Sequence, residues 1–276
     1  MKAARFSLVK QFNIPALLLL AIGAGLIAIH LTLNLRAEKS SHLALSIVFW
    51  LAACSTFWDK RYQLKLGSGI VPFLFGALLI AGILIKSAAH PSEKFLGFSP
   101  FISVFGLALL ASGFRGLKQY WQELLILFTL GVPKLLLPYL PNITPITAKF
   151  SAFLLWYSGA NVVLQDSYII LPKGSVEVVP SCSGLNLIIY MLGLAVIVLV
   201  MFPTSRSQKI IVPIVAATLG FIVNGIRIAI LAHLAAPSSQ AAFDYWHSQE
   251  GALIFVMISV ILFGVYCLFM LEHSEP

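Results

Sequence analysis

Apolar runs of about twenty residues recur along this chain with little between them, and that recurrence confines it to a bundle of membrane-spanning segments. They cover residues 14–35, 42–58, 70–86, 100–114, 122–140, 182–202, 210–235 and 251–271. A hydrocarbon core roughly 30 Å thick needs about 20 such residues per helical crossing. Inside it a backbone can satisfy its own polar groups only as a helix or a closed barrel. These runs are continuous rather than alternating, so helices are expected. Only 10% of the 276 residues are charged, against roughly 25% in an average soluble domain. That excludes a soluble enzyme, and the expected fold is an all-α polytopic membrane protein of about eight transmembrane helices in a single integral membrane domain, 1–276.

Eight crossings put both termini on one side. With a cytoplasmic N-terminus, the inside segments hold Lys2, Arg5, Lys10, Lys60, Arg61, Lys65, Arg115, Lys118, Arg206 and Lys209, which is 10 of the 18 basic residues. The weighting of short basic loops supports that orientation. The net charge of +8 is scattered in twos and threes between apolar stretches, a topology signal and not a nucleic-acid surface. The first run is too long for a signal-peptide core and is expected to remain as a helix. Trp58, Trp121, Trp156 and Trp246 lie near the ends of spans, where an indole suits the headgroup level.

Residues 141–179 break the pattern. The apolar stretch 146–158 is short for a crossing and reads as a re-entrant or interfacial helix. Beyond it, Asn161–Ile170 and Ser175–Val179 flank a Leu-Pro-Lys-Gly turn, which predicts a small extracytoplasmic β-hairpin feeding directly into Cys182.

Cys54, Cys182 and Cys267 form no CxxC pair, so neither zinc nor a disulfide framework is indicated, and no metal or cofactor is expected. Cys54 and Cys267 sit in apolar sequence and read as small buried hydrophobes. Cys182 lies in Pro180-Ser181-Cys182-Ser183-Gly184, at the expected start of the span 182–202. A thiol in the first turn of a helix faces free N–H groups and the positive end of the helix dipole, which favour the thiolate. Asn186, four residues on, would share its face. Asn224 and Arg227, three apart, share a face of the span 210–235; an arginine within a span costs about 2.5–3.5 kcal/mol on insertion scales and is a functional candidate on that ground, with snorkelling or a structural ion pair as the alternative. His247 stands in the last loop, expected to start a helix at the same membrane face as Cys182, with Asp244 and Glu250 each three residues away and His233 as a weaker competitor.

These residue types suit acyl transfer. A thiolate attacks a carbonyl, an imidazole moves the proton and a guanidinium steadies the oxyanion. Ser181 and Ser183 are rival nucleophiles that would need a dedicated base, and they fit helix capping better.

Three blocks in order, Val179-Pro-Ser-Cys182-Ser-Gly-Leu185, Asn224-Gly-Ile-Arg227 and His247-Ser-Gln-Glu-Gly251-Ala-Leu-Ile-Phe255, resemble the exosortase/archaeosortase family of multi-pass cysteine transpeptidases, in particular its bacterial, cyanobacterial-like branch. The resemblance covers about 100–272, with 1–99 matching only as additional hydrophobic helices. It implies a protease and transpeptidase of the plasma (inner) membrane with its active site on the extracytoplasmic side. It would take exported proteins bearing a C-terminal PEP-CTERM-type sorting signal and transfer them to a cell-surface acceptor. The family's catalytic Cys, Arg and His would be Cys182, Arg227 and His247. Asn186, Asn224, Ser183 and Gly184 would support or bind substrate. The partners implied are such exported proteins and membrane lipids, with no nucleic acid. Two rival readings are a lipid acyltransferase using the same cysteine and a small-solute transporter, the latter disfavoured because the first four spans hold few polar residues.

Overall fold

The computed structural model describes residues 14–37, 40–89, 91–136 and 139–272; the basic residues Lys2, Arg5 and Lys10 of the topology argument lie outside them. The helices are α1 (Ile14–Arg36), α2 (Ser40–Lys60), α3 (Ile70–Ala88), α4 (Glu93–Gly116), α5 (Trp121–Leu135), α6 (Thr144–Tyr157), α7 (Leu185–Met201), α8 (Gln208–Leu234), α9 (Gln240–His247) and α10 (Gln249–Glu272). Between α6 and α7 lie three short strands. Among the described residues seven stretches are long and apolar enough to cross a membrane. One of them, Lys94–Pro133, is 40 residues long and contains both α4 and α5. Gly113, at φ 64°, breaks the helix there, and a 3₁₀ turn, Leu117–Tyr120, follows. The two arms run back along each other: Ser112 meets Tyr120 at 2.9 Å, Phe101 meets Phe128 at 5.6 Å, and Gly97 abuts Gly131. The chain is thus a multi-pass all-α membrane protein with a small sheet, and its exposed faces are apolar, as on α3 at Ile70, Leu74, Leu78 and Ile85.

Two compact units divide the chain, the first within Met1–Glu38 and Ser46–Val132, the second within Lys39–Leu45 and Pro133–Pro276. In the first, small residues let helices touch. A Cβ on Gly76 of α3 would come within 2.6 Å of the Gly106 carbonyl oxygen of α4, while Gly97, nine residues earlier and so on the opposite face of α4, lets α5 approach. Polar residues also hide in this unit, contrary to the expectation that the early spans hold few. Trp50 Nε1 of α2 donates to His30 Nδ1 of α1 at 3.1 Å. That leaves His30 Nε2–H to donate to the Leu96 carbonyl at 3.0 Å, while Asn34 Nδ2 donates to the His30 carbonyl at 2.9 Å. Buried polar groups in hydrocarbon persist when they find partners, and the His30 bonds are internal cross-links of that kind, while Asn34 Oδ1 is buried without a partner among the described residues.

The second unit holds the sheet. It is a three-stranded antiparallel meander, β1 (Val163–Gln165), β2 (Tyr168–Leu171) and β3 (Gly174–Glu177). The expected two-strand hairpin is therefore incomplete, because the run 161–170 is itself folded at Asp166, which takes φ 54°. The Pro-Lys turn between β2 and β3 is where the sequence placed it, with Leu171 paired to Gly174. Alternate residues Ile169, Val176 and Val178 bury one face against Ile228, Leu231 and Ala232 of α8. Gly174 lies against the Ala235 carbonyl at the end of α8 with no room for a Cβ, so the sheet is pinned to that helix end.

Candidate active site

The chain leaves β3 through Val179 into a 3₁₀ turn, Pro180–Cys182. Pro180 fixes the first φ of that turn, and the Cys182 N–H closes it on the Val179 carbonyl at 2.8 Å. Gly184 then takes φ 89°, and α7 begins only at Leu185. Cys182 is therefore not in the first turn of the helix, as the sequence suggested. It lies ahead of the helix, and the left-handed Gly184 redirects the chain between it and Asn186. That breaks the helical spacing on which the Cys182–Asn186 pairing rested. Asn186 is exposed on α7, and no hydrogen bond among the described residues joins it to the other candidates. Ser183 is 3% exposed; its hydroxyl donates to the Pro180 carbonyl at 2.8 Å and accepts from Leu185 N–H at 3.4 Å, a cap across the turn.

Asn224 of α8 is buried, and its Nδ2 donates to the Cys182 carbonyl at 3.0 Å. A Cβ on Gly184 would sit 2.7 Å from that same amide nitrogen, so the glycine is required twice, by its φ and by Asn224. Arg227 follows three residues along. It is seven residues short of the end of α8, about 10 Å in rise, so it belongs to the C-terminal part of the span and not to its middle. Its Nη2 donates to the carbonyls of Trp246 and His247 at 3.5 and 3.4 Å, and its Nε is buried without a partner. Those carbonyls end α9, where a cation complements the negative end of the helix. Arg227 and Cys182 are also close enough to interact electrostatically.

His247 is the last residue of α9 and does not start a helix; Ser248 separates it from α10. Its ring stacks on Phe243, one turn earlier, with centroids 5.5 Å apart and planes at 25°. So oriented, its Nε2 stands 4.0 Å from Cys182 Sγ. Neither neighbouring carboxylate orients the imidazole: Asp244 accepts from Gln240 Nε2 at 2.9 Å, and Glu250 accepts from the Ser248 hydroxyl at 2.7 Å. His233 is exposed at the end of α8. Cys267 is buried as expected, whereas Cys54 is exposed. Among the described residues no group of three His, Cys, Asp or Glu side chains is placed to hold a metal ion.

One contributor was not anticipated. α6 has 14 residues and buries a face of small side chains, Thr144, Thr147, Ala148, Ser151 and Ala152. From that face Thr147 Oγ1 donates to the Ser183 carbonyl at 2.7 Å and Ser151 Oγ to the Gly225 carbonyl at 2.9 Å. One helix thereby braces both the cysteine turn and the arginine helix. The visible signal was two hydroxyls four residues apart among alanines, the spacing of one helical face.

Thus Cys182, Ser183, Gly184, Asn224, Arg227 and His247 converge within the second unit, and Asn186 stays outside. The family model described as transmembrane exosortase (Exosortase_EpsH) matches residues 36–264. The chain belongs to this family. Over 101 residues the exosortase chain is 28% identical to the probable archaeosortase E of Methanocaldococcus jannaschii, a stretch amounting to 37% of this chain and 52% of that protein. It therefore spans about half the length of the curated relative it matches. No solved structure matches it. Every converging residue of this exosortase lies inside the family match, which begins ahead of α2 and ends within α10.

Proposed function

We propose that this exosortase is a membrane-embedded cysteine peptidase and transpeptidase. In this reading it acts as one integral domain of the plasma (inner) membrane, with the site on the extracytoplasmic side. Its substrates are exported proteins with a PEP-CTERM-type signal at the C-terminus, and it transfers them to a cell-surface acceptor. The observation that carries the reading is the approach of Cys182 Sγ to His247 Nε2, 4.0 Å, with Arg227 on the backbone of the same histidine.

The Cys182 thiolate attacks the scissile carbonyl carbon, and the carbonyl electron pair moves onto oxygen, where the Arg227 guanidinium offsets the charge. Collapse of that intermediate breaks the C–N bond; the departing amine takes its proton from the His247 imidazolium and leaves a thioester on Cys182. An acceptor then gives its proton to His247 and attacks the thioester, releasing the thiolate. Water as acceptor yields a new carboxylate, an amine an amide, and a hydroxyl an ester. Against a transporter stands the occupation of both ring nitrogens of the buried His30, by Trp50 of α2 and by the Leu96 carbonyl of α4.

The test is mass spectrometry of a secreted protein bearing the sorting signal, expressed with the wild type or with Cys182→Ala. The expected result is a new C-terminus at the signal, carrying water or an adduct, only with the wild type. An intact substrate beside an active enzyme that loads fatty acyl groups on Cys182 would overturn it in favour of lipid acyl transfer.

A further inference from the structure

The first unit contains a cavity of about 390 Å³, within the ~300–1,000 Å³ common for ligand sites, that the proposed reaction does not use. Its walls come from α1, α2 and α4, and its mouth is open at Leu20, Cys54 and Trp58. On α1 the lining runs from Ala16 to Ile27, a rise of about 16 Å, and on α2 from Trp50 to Trp58, about 12 Å, continuing to Arg61 in the turn just past the helix end. One leaflet of a bilayer with a ~30 Å hydrocarbon core has nearly that depth. The slot therefore extends from the headgroup level to about the midplane, beside the lipid that bathes these helices.

Its polarity is confined to one end. There Glu123 Oε2 is paired with Lys60 at 2.7 Å, which balances its charge, while Oε1 is buried without a hydrogen-bond partner among the described residues. Arg61 is left as the free cation at the rim. It stacks against the rings of Trp58 and Tyr62, 4.1 and 4.2 Å from their centroids, and donates to the Trp58 carbonyl; among the described residues no carboxylate lies within ion-pair distance of it. The loop that follows is tied to the α4–α5 turn, with Gln119 Oε1 accepting from Lys65 N–H at 2.8 Å and Gln119 Nε2 donating to the Lys65 carbonyl at 3.3 Å. That tie gathers Lys65, Arg115 and Lys118 around the same end of the unit.

A slot of about one-leaflet depth, apolar along its length, with its charged groups at the headgroup end and Arg61 unpaired there among the described residues, has the form of a bilayer lipid with a negative head. We propose that it is a binding site for one anionic phospholipid, with an acyl chain between α1, α2 and α4 and the phosphate at Arg61.

Full-length protein is drawn from vesicles of equal phosphatidylglycerol and phosphatidylcholine, and retained lipid is measured by native mass spectrometry. One phosphatidylglycerol per chain is expected, preferred over phosphatidylcholine about tenfold. Arg61→Gln should lower that preference several-fold by removing the cation at the rim, with Lys65, Arg115 and Lys118 left as background charge. Ala24→Phe fills the slot from an exposed position of α1 and should displace both. Ala111→Phe repeats the filling from α4, so a fold defect in one variant, read by gel filtration and circular dichroism, does not decide the matter. Wild type that retains no lipid or both lipids equally, an unchanged preference in Arg61→Gln, or undiminished retention in the folded filled variants would each overturn the assignment.

Discussion

Replacing Gly184 by alanine tests how the cysteine turn is held. At φ 89° an L-residue sits in the left-handed region, at a cost of about 1–2 kcal/mol. The new methyl would also lie 2.7, 2.8 and 2.9 Å from Nδ2, Cγ and Cβ of Asn224, closer than real Cβ atoms come. Rotating the amide relieves the first two contacts but gives up the bond to the Cys182 carbonyl, worth about 0.5–1.5 kcal/mol. Together the expected loss is about 1.5–3.5 kcal/mol. It falls next to Cys182, the proposed nucleophile, where a 1 Å misplacement lowers a rate about 10²-fold. The assay is turnover of a signal-bearing protein by proteoliposomes, with thermal unfolding measured alongside. Gly184→Ala/Asn224→Ala removes Nδ2 and Cγ and should be more stable than the sum of the single losses, since the clash is shared. Wild-type turnover and unfolding temperature in Gly184→Ala would refute the reasoning, whatever the substrate proves to be.

Further expectations follow from the geometry. Cys182→Ala should abolish turnover while Cys54→Ala and Cys267→Ala retain it, because among the described cysteines it is Cys182 whose Sγ stands beside His247 Nε2; activity of Cys182→Ser lost in Ser183→Ala would move the nucleophile. In a pH–rate profile, His247→Ala should remove the limb due to proton transfer, whereas Asp244→Asn and Glu250→Gln, whose carboxylates are bonded elsewhere, should leave it in place. Arg227→Lys should be impaired about 10²–10³-fold, since the ammonium keeps the charge but loses the planar fork at the carbonyls of α9, and the same kinetic assay checks it. Labelling of cysteines placed at Ser175 and Ser239 by an impermeant reagent in intact cells should succeed at both; protection of both would reverse the orientation of the site.

The spans were readable because each packs enough apolar residues into one run, and the polar residues that break those runs marked the site. What escaped was set by distant backbone. Thr147 and Ser151 find their partners in the carbonyls of Ser183 and Gly225, and no local pattern announces a carbonyl. His30 and Asn34 were lost inside an apolar run, since hydropathy averages away a pair of polar groups that bond to each other and to Leu96. The turn between β1 and β2 was hidden because Asp166-Ser167 lacks the glycine that advertises a tight hairpin. His247 was placed on the wrong side of its boundary because α9 has only eight residues, too few for a clear period. Position in a turn was likewise the uncertain part at Cys182, where Gly184 delays the helix by one irregular step.

The two hydroxyls of α6 serve as a common datum for a tolerance problem. Thr147 and Ser151 stand on one rigid helix, and each holds one of the two elements whose spacing matters. A small shift of α6 along or across the membrane carries the cysteine turn and the arginine helix in the same direction, so the error is common to both and cancels in the distance between them. Bilayer undulation and thermal motion act largely as such shared displacements, and a pair registered to one rail is insensitive to them. A pair registered to two separate helices would accumulate their independent errors instead.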